Sequence, residues 1–300
     1  MKSKLNKFLR YLQVERGFSP STIEAYQLDI EKGLIPFLHR RGKFEAEEVT
    51  KDDIQAYLDY QANARGNSNF TRARKLAAIK SFLNYLVDNG ELEVNPAASI
   101  RSPKIPEKEP VYLSNEEMLT LLGTIARKAR LRVRERDMAI VVLFVHDGLR
   151  VSELTKLELS NVDLESCQIK ITRKGNKEQY LHLNRETIVA LSSYLDKRPQ
   201  ARNGTFFVGE GGDGLTRTYV YHLISKYLKL AGIDKGKRGP HILRHTFCTR
   251  LHQKGVGPFT IKELAGHKSL NTTMRYIKIE NKEQAEAVDR LEFGMMDLWQ

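Results

Sequence analysis

Apolar side chains recur every three or four positions through residues 1–100, which is the spacing of amphipathic helices. Ser19-Pro20 is a typical helix start, with proline in the first turn. Helices are expected over residues 3–16, from Ser19 to Gly33 or Pro36, from Thr50, and over about 68–88. The second of these carries the apolar residues Ile23, Tyr26, Leu28 and Ile30. The pattern predicts an all-α N-terminal domain.

The helix predicted over 68–88 has one apolar side and one basic side. Its basic residues are Arg72, Arg74, Lys75 and Lys80. A solvated basic face is the simple interpretation of such a helix. In a chain this rich in lysine and arginine, contact with DNA phosphates is the interpretation we favour.

Residues 101–110 hold three prolines among charged residues and show no hydrophobic period. Such a composition is typical of an extended linker. We therefore expect a domain over residues 1–100, a linker over 101–110 and a second domain over 111–300.

The second domain is predicted to mix helices with one small sheet. Residues 137–147 are strongly apolar but too few to span a bilayer, so they predict a buried helix. Gln168–Thr172 and Gln179–Leu183 alternate around a turn at 174–177, which predicts a hairpin. A capping box at Ser114–Glu117 starts one helix, and others are expected over 185–196, 216–231 and 281–292. The fold class is mainly α with a small β-sheet.

The charge and cysteine content of the chain indicate what kind of partner it binds and in which compartment. The 300 residues carry a formal net charge of +12, which favours a polyanion such as nucleic acid. The two cysteines, Cys167 and Cys248, form no CxxC pair, which argues against a thiolate zinc site and fits a reducing cytoplasm. Neither a signal-type N-terminus nor a membrane span is expected.

The chemistry is concentrated between Gly239 and Tyr276. His241 and Arg244 are three residues apart on a predicted helix, so they share one face. His267 follows a glycine, and Tyr276 comes nine residues later. Basic groups around a tyrosine can stabilise both a phenolate and the phosphate that it attacks, although an isolated tyrosine is usually a packing residue.

Two more basic residues extend this set. Arg150 follows Gly148 at a predicted helix start, and its guanidinium fork suits phosphate oxygens. Lys174 lies at the hairpin tip, from which an ammonium could protonate an expelled oxygen. Lys177 is a close rival for that role, and an ordinary solvated turn lysine is the plain alternative for either residue.

These motifs resemble those of the tyrosine recombinases of the lambda-integrase kind, in particular the Xer and transposon-integrase branch. The motifs are Arg150 in GLRVSEL, Lys174 in RKGNKEQYLHL, His241 and Arg244 in PHILRH, His267 in LAGH and Tyr276 in NTTMRYI. The N-terminal half is similar, more loosely, to the family's helical core-binding domain. The resemblance covers essentially the whole chain.

The resemblance implies a site-specific recombinase that cuts and rejoins DNA through a 3′-phosphotyrosyl intermediate. It implies that Arg150, Arg244 and His267 hold the phosphate, His241 assists proton transfer, Lys174 protonates the leaving 5′ oxygen and Tyr276 attacks. Glu153 is expected to orient a cation. No cofactor or metal is expected.

The resemblance also implies an assembly. An all-α SAM-like N-terminal domain and a catalytic domain would form a C-shaped clamp on double-stranded DNA. Four protomers would form the synapse, with the segment 281–292 docking into a neighbouring subunit and a second recombinase or accessory protein as a further possible partner. Integration, excision and resolution stay open as biological roles.

Three other interpretations account for part of this pattern. His241 and His245 have the spacing of a zinc pair, but Ile242 stands where a metalloprotease has its glutamate. A type IB topoisomerase shares the chemistry but not the helical N-terminal domain. A non-catalytic sequence-specific DNA-binding protein of the same fold would have no need of Tyr276. One departure from the family pattern, Lys254–Thr260, is expected to alter the loop before the helix that leads to His267.

Overall fold

The chain divides into two compact units. The computed structural model describes residues 1–106, 110–173, 177–236 and 239–277. The units are Met1–Glu107 and Lys108–Gln300, and each has its own hydrophobic cluster. The division falls within the segment 101–110, and residues 101–106 form neither helix nor strand.

The N-terminal unit is helical throughout its described secondary structure. Its elements are α1 (Lys2–Val14), α2 (Pro20–Gln27), a π-helical segment (Leu28–Leu34), α3 (Ile35–Arg40), a 3-10 turn (Ala46–Glu48), α4 (Lys51–Asn63) and α5 (Asn69–Asp88). Thr50 forms a capping box with Asp53, and the Ser68 hydroxyl accepts from the Thr71 amide. The predicted starts of α4 and α5 are therefore confirmed.

The second predicted helix does not stop at Gly33 or Pro36, as the sequence suggested, but continues to Arg40. Pro36, which has no N–H to donate, lies directly after the π-helical segment, where the hydrogen-bond register of the helix changes. The Ile35 amide bonds five residues back to Ile30, as in a π-turn. This wider turn changes which side chains face inward: Leu28 is 59% exposed, whereas Asp29 is buried.

The second unit packs helices around a small sheet. Its helices are α6 (Asn115–Lys128), α7 (Arg134–His146), α8 (Val151–Leu154), a 3-10 turn (Leu159–Asn161), α9 (Arg185–Leu195), α10 (Arg217–Leu230), α11 (Pro240–Gln253), α12 (Pro258–Ala265) and α13 (Leu270–Met274). The apolar stretch predicted as a buried helix forms most of α7, which lies in the core. Ser114 and Glu117 form the predicted capping box.

The sheet is antiparallel with the order β1-β2-β3. Its strands are β1 (Val162–Asp163), β2 (Gln168–Arg173) and β3 (Lys177–His182). Ile169 pairs with Leu181 and Ile171 with Gln179, so the predicted hairpin is confirmed. β1 is only two residues long, too short for a period to be recognised in the sequence.

Within the segment from Lys254 to Thr260, residues 254–257 connect α11 to α12, and residues 258–260 form the first turn of α12. Gly255 has a φ of +78°, and Gly257 precedes Pro258, which starts α12 in the position that proline favours. In the described part of the chain, no helix combines the length and the apolar character needed to cross a bilayer.

Candidate active site

Helix α11 carries three of the basic residues of interest. Arg244 lies near its middle and is only 6% exposed. His245 follows it and is half-buried, whereas His241, in the first turn, is exposed. The helix therefore places Arg244 in the interior of the unit and His241 at its surface.

Arg173, the last residue of β2, reaches the carboxyl end of α12. It donates from Nη2 to the Leu264 carbonyl at 2.8 Å and from Nη1 to the Ala265 carbonyl at 3.1 Å. Terminal helix carbonyls have no partner within the helix, and the helix dipole favours cations there. Burial lowers the pKa of the Arg173 guanidinium from its ordinary value, while Glu153 opposes that shift.

Arg150 and Arg244 meet the same helix end. Arg150 donates to the Gly266 carbonyl, and Arg244 donates to the carbonyls of Ala265 and Gly148. Burial, together with the positive charge of Arg150, lowers the pKa of Arg244 to about 10. The Arg244 guanidinium therefore stays charged at neutral pH, and the Arg150 guanidinium lies close enough to lower its pKa.

Glu153 links two of the arginines. Its carboxylate accepts from the Arg150 amide and from Arg150 Nη1, each at 2.7 Å, and from Arg173 Nη1 at 3.2 Å. The residue is buried. Glu153 therefore contacts a cation, as expected. Its orienting role in catalysis stays a prediction.

Two glycines allow the close packing of these groups. Gly266 has a φ of +60°, and a Cβ there would lie 2.6 Å from the Arg173 guanidinium carbon. Gly148 has a φ of +61°, and a Cβ there would overlap the Phe247 ring. Any side chain at either position would displace a neighbour of the cluster and strain the backbone.

His267 follows Gly266 and is buried. Its Nδ1 lies 2.8 Å from the Thr273 hydroxyl oxygen. Burial and the positive charges of Arg244, Arg150 and Arg173 lower the pKa of His267 to about 4. The imidazole is therefore neutral at physiological pH in the absence of an anion.

Tyr276 lies two residues after the end of α13, with 8% of its surface exposed. Its hydroxyl oxygen is 2.5 Å from His245 Nδ1. Its ring lies nearly parallel to that of His267, with centroids 6.1 Å apart and planes at 10°. Burial raises the pKa of the Tyr276 phenol, a hydrogen bond with Cys248 adds to the rise, and Arg244 opposes it.

The structure thus brings together Arg150, Arg244, His267 and Tyr276, with Glu153 behind them. Lys174 lies outside the described residues. Lys177 is the first residue of β3 and is exposed.

Arg74 and Lys75 of the basic helix bond to a buried carboxylate. Arg74 pairs with Asp29 Oδ2, and Lys75 Nζ lies 3.1 Å from Asp29 Oδ1. The Lys75 side chain is only 14% exposed, because the π-helical segment turns Asp29 toward it. Both cations therefore stabilise the N-terminal unit, and their contact with DNA stays a prediction.

The other two residues of this set make local contacts on α5. Arg72 Nη2 donates to Asn69 Oδ1 at 2.8 Å, and Lys80 Nζ donates to the Ala98 carbonyl at 2.9 Å. The Arg72 and Lys80 side chains are half-buried.

Sequence reasoning missed Arg173 and understated His245. Arg173 continues the inward alternation of Ile169 and Ile171, and this period of two was the available signal. In the sequence, His245 is notable only for its zinc-like spacing from His241; its contact with Tyr276 depends on how α11 and α13 meet, which local spacing does not encode. Among the described residues, no group of three or more His, Cys, Asp and Glu side chains is placed to hold a metal ion.

Comparison with known proteins identifies the class. The phage integrase family model matches residues 112–283, and the model of the phage integrase N-terminal SAM-like domain matches residues 5–90. The chain therefore belongs to the phage integrase family, and it is a tyrosine site-specific recombinase. The predicted family and fold class are confirmed.

Its relatives include the Xer recombinases. The tyrosine recombinase XerC of Caldanaerobacter subterraneus subsp. tengcongensis is 33% identical, with 95% of this chain and 86% of that protein covered. XerD of Listeria innocua is 30% identical, with coverages of 93% and 95%. The crystal structure of the XerH site-specific recombinase bound to difH substrate, a pre-cleavage complex, is 25% identical. It superposes with a TM-score of 0.75 over 96% of this chain and 85% of that one.

Proposed function

We propose that this chain cuts and rejoins strands of double-stranded DNA, with the Tyr276 hydroxyl as the nucleophile. Attack on a backbone phosphate forms a 3′-phosphotyrosyl link and releases a 5′-hydroxyl, and attack by a 5′-hydroxyl reverses it. Each step exchanges one phosphodiester for another, so no energy source is needed. The observation that carries the proposal is the Tyr276 phenol packed against His267 and influenced by the charge of Arg244.

Arg150, Arg244 and His267 are proposed to bind the scissile phosphate. A guanidinium has five N–H donors, more than the two carbonyls that Arg244 engages. Phosphoryl transfer depends on positioning and on neutralising the non-bridging oxygens. An arriving phosphate favours protonation of His267, because it offsets the arginine charges that lower the pKa of the imidazole.

The leaving 5′ oxygen needs a proton. We assign that role to Lys174, which follows the last residue of β2 in the sequence, with Lys177, the first residue of β3, as the rival. A substrate with sulfur in place of the bridging 5′ oxygen distinguishes them, since a thiolate leaves without protonation. A variant that lacks the general acid is expected to cleave the sulfur-containing substrate at close to the wild-type rate. A variant of the other lysine is expected to gain nothing from the sulfur.

The wider assembly is part of the proposal. The crystal structure of the XerH recombinase is described as a complex with difH substrate. For this chain we propose a clamp on duplex DNA, a tetramer at the synapse, and docking of the segment 281–292 into a neighbouring subunit. A second recombinase or an accessory protein would complete the assembly on some sites.

Covalent capture tests the function. Duplex fragments that the protein binds from its own genomic neighbourhood are nicked one or a few nucleotides from the cleavage point, so that the released piece diffuses away and the adduct accumulates. After denaturation with detergent, DNA attached to protein is expected for the wild type and absent for Tyr276→Phe. Binding without an adduct, with equal behaviour of both proteins, would instead indicate a non-catalytic DNA-binding protein.

A further inference from the structure

We propose that His245 is the general base for the nucleophile: its Nδ1 takes the Tyr276 proton as the phenol oxygen attacks phosphorus. This inference rests on the proposed role of Tyr276. The Tyr276 O–H bond breaks as the O–P bond forms, and the bond from phosphorus to the 5′ oxygen breaks as that oxygen takes a proton from the general acid. In the reverse step the proton returns from Nδ1 to the tyrosine.

His245 Nδ1 and the Tyr276 hydroxyl are already in contact. The 2.5 Å from Nδ1 to the hydroxyl oxygen is hydrogen-bonding distance without any rearrangement. The proposal fixes the tautomer, with the ring proton on Nε2 and the Nδ1 lone pair toward the hydroxyl. His245 lies inside α11, so its backbone is held by the helix, as a preorganised base requires.

The second histidine against Tyr276 is oriented differently. The His267 ring lies nearly parallel to the tyrosine ring, and its Nδ1 contacts Thr273. It therefore presents a ring face to the phenol, whereas His245 presents a ring nitrogen. His267 is free for the phosphate, and His245 is placed for the proton.

The Cys248 thiol, which also bonds to the Tyr276 hydroxyl, is a poor base. Burial raises the pKa of this thiol to about 11, so it stays protonated at neutral pH. Since burial also raises the pKa of the phenol, attack requires a group that removes the proton.

His241, to which the family resemblance gives the proton-transfer role, lies four residues before His245. One helical turn of about 6 Å separates them along the axis of α11. His241 is exposed in the first turn, whereas His245 already contacts the hydroxyl. In this chain the base is therefore His245, and Arg244 beside it holds the phosphate.

The test separates a base from a structural contact. His245→Asn places an amide oxygen near the position of Nδ1, which keeps an acceptor for the hydroxyl but cannot take its proton. Single-turnover formation of the covalent adduct on the nicked duplex is expected to slow by about 10²- to 10⁴-fold, with DNA affinity unchanged. Fluorotyrosine at position 276, whose phenol ionises more readily, is expected to recover at least roughly tenfold of that loss.

The matched variant is His241→Asn. If His245 is the base, fluorotyrosine rescues His245→Asn and not His241→Asn; rescue of the His241 variant alone would overturn the inference. So would a His245→Asn protein at the wild-type rate, or one whose defect fluorotyrosine leaves unchanged. An adduct that survives Tyr276→Phe, or a wild type that forms none, would count against the proposed nucleophile and not against His245 specifically.

Discussion

Arg173 Nη1 lies 3.2 Å from both carboxylate oxygens of Glu153, and both side chains are buried. The same carboxylate accepts from Arg150. One negative charge therefore holds two guanidiniums at the end of α12. A buried ion pair of this kind is costly to break, because the remaining charge has no compensation.

Glu153→Gln is expected to destabilise the catalytic unit strongly. The amide keeps the shape of the side chain but leaves the buried Arg173 and the half-buried Arg150 without their shared negative charge, so a loss of about 3–5 kcal/mol is expected. Urea unfolding followed by circular dichroism measures it. Glu178→Gln is the matched control, since Glu178 is an exposed partner of Lys170 on the same hairpin and should cost less than about 1 kcal/mol. Equal losses in the two variants would contradict the central role of Glu153.

Gly266→Ala is expected to reduce both stability and strand cleavage. The added methyl group meets the Arg173 guanidinium and must adopt a φ of +60°, and the strain is transmitted to His267 next in the chain. The control is Gly255→Ala, at a φ of +78° with open space around it, which carries only the backbone cost of about 1–2 kcal/mol. Chemical unfolding and adduct formation compare the two. If Gly266→Ala cleaved DNA as well as Gly255→Ala, the close approach of Arg173 to Gly266 would not matter for strand cleavage.

Much of the fold was predictable because its signals are local. The capping boxes at Thr50 and Ser114 and the alternation in β2 each lie within a few residues of sequence. The continuation of the helix through Pro36 was not predictable, since the π-turn is favoured by burying Asp29 against Lys75, 46 positions away. A local sequence pattern cannot predict a feature that depends on a polar group and a partner far away in the sequence.

The site likewise contains residues that the sequence predicts and one, Arg173, that it does not. Motif order was enough to select Arg150, Arg244, His267 and Tyr276, which the structure brings together. Arg173 acts through carbonyls 91 and 92 residues further along the chain, and such backbone acceptors have no residue identity to recognise in a sequence.

Asp147→Asn is expected to stabilise the protein above neutral pH. Burial raises the pKa of the Asp147 carboxyl from 3.8 to about 7, with Thr187 opposing the shift through a hydrogen bond. The folded state therefore binds a proton that the unfolded state releases, and stability is lost as pH rises from about 4 through 7. Asparagine removes this loss.

The expected gain is about 1–3 kcal/mol at pH 8 and close to zero near pH 4, since one pKa unit corresponds to about 1.4 kcal/mol. Urea unfolding at a series of pH values measures it. The exposed Asp196→Asn serves as the control and should change stability by no more than about 0.5 kcal/mol. A gain that was the same at both pH values would show that ionisation of Asp147 is not its cause.

The basic residues of α5 are expected to differ in their effect on DNA binding. Lys75 is 14% exposed and its ammonium is held by Asp29, whereas the Lys80 ammonium bonds only to a neutral carbonyl in the described contacts. Each phosphate contact that is lost lowers the slope of log affinity against log salt by about 1. Lys80→Gln is therefore expected to lower that slope on a random-sequence duplex, and Lys75→Gln is not.

Lys75→Gln should instead cost about 1.5–3 kcal/mol in unfolding free energy, because Asp29 loses a charged donor. A lower salt slope in Lys75→Gln would mean that Lys75 leaves Asp29 for a phosphate when DNA binds, and the ion pair would then be part of the binding step.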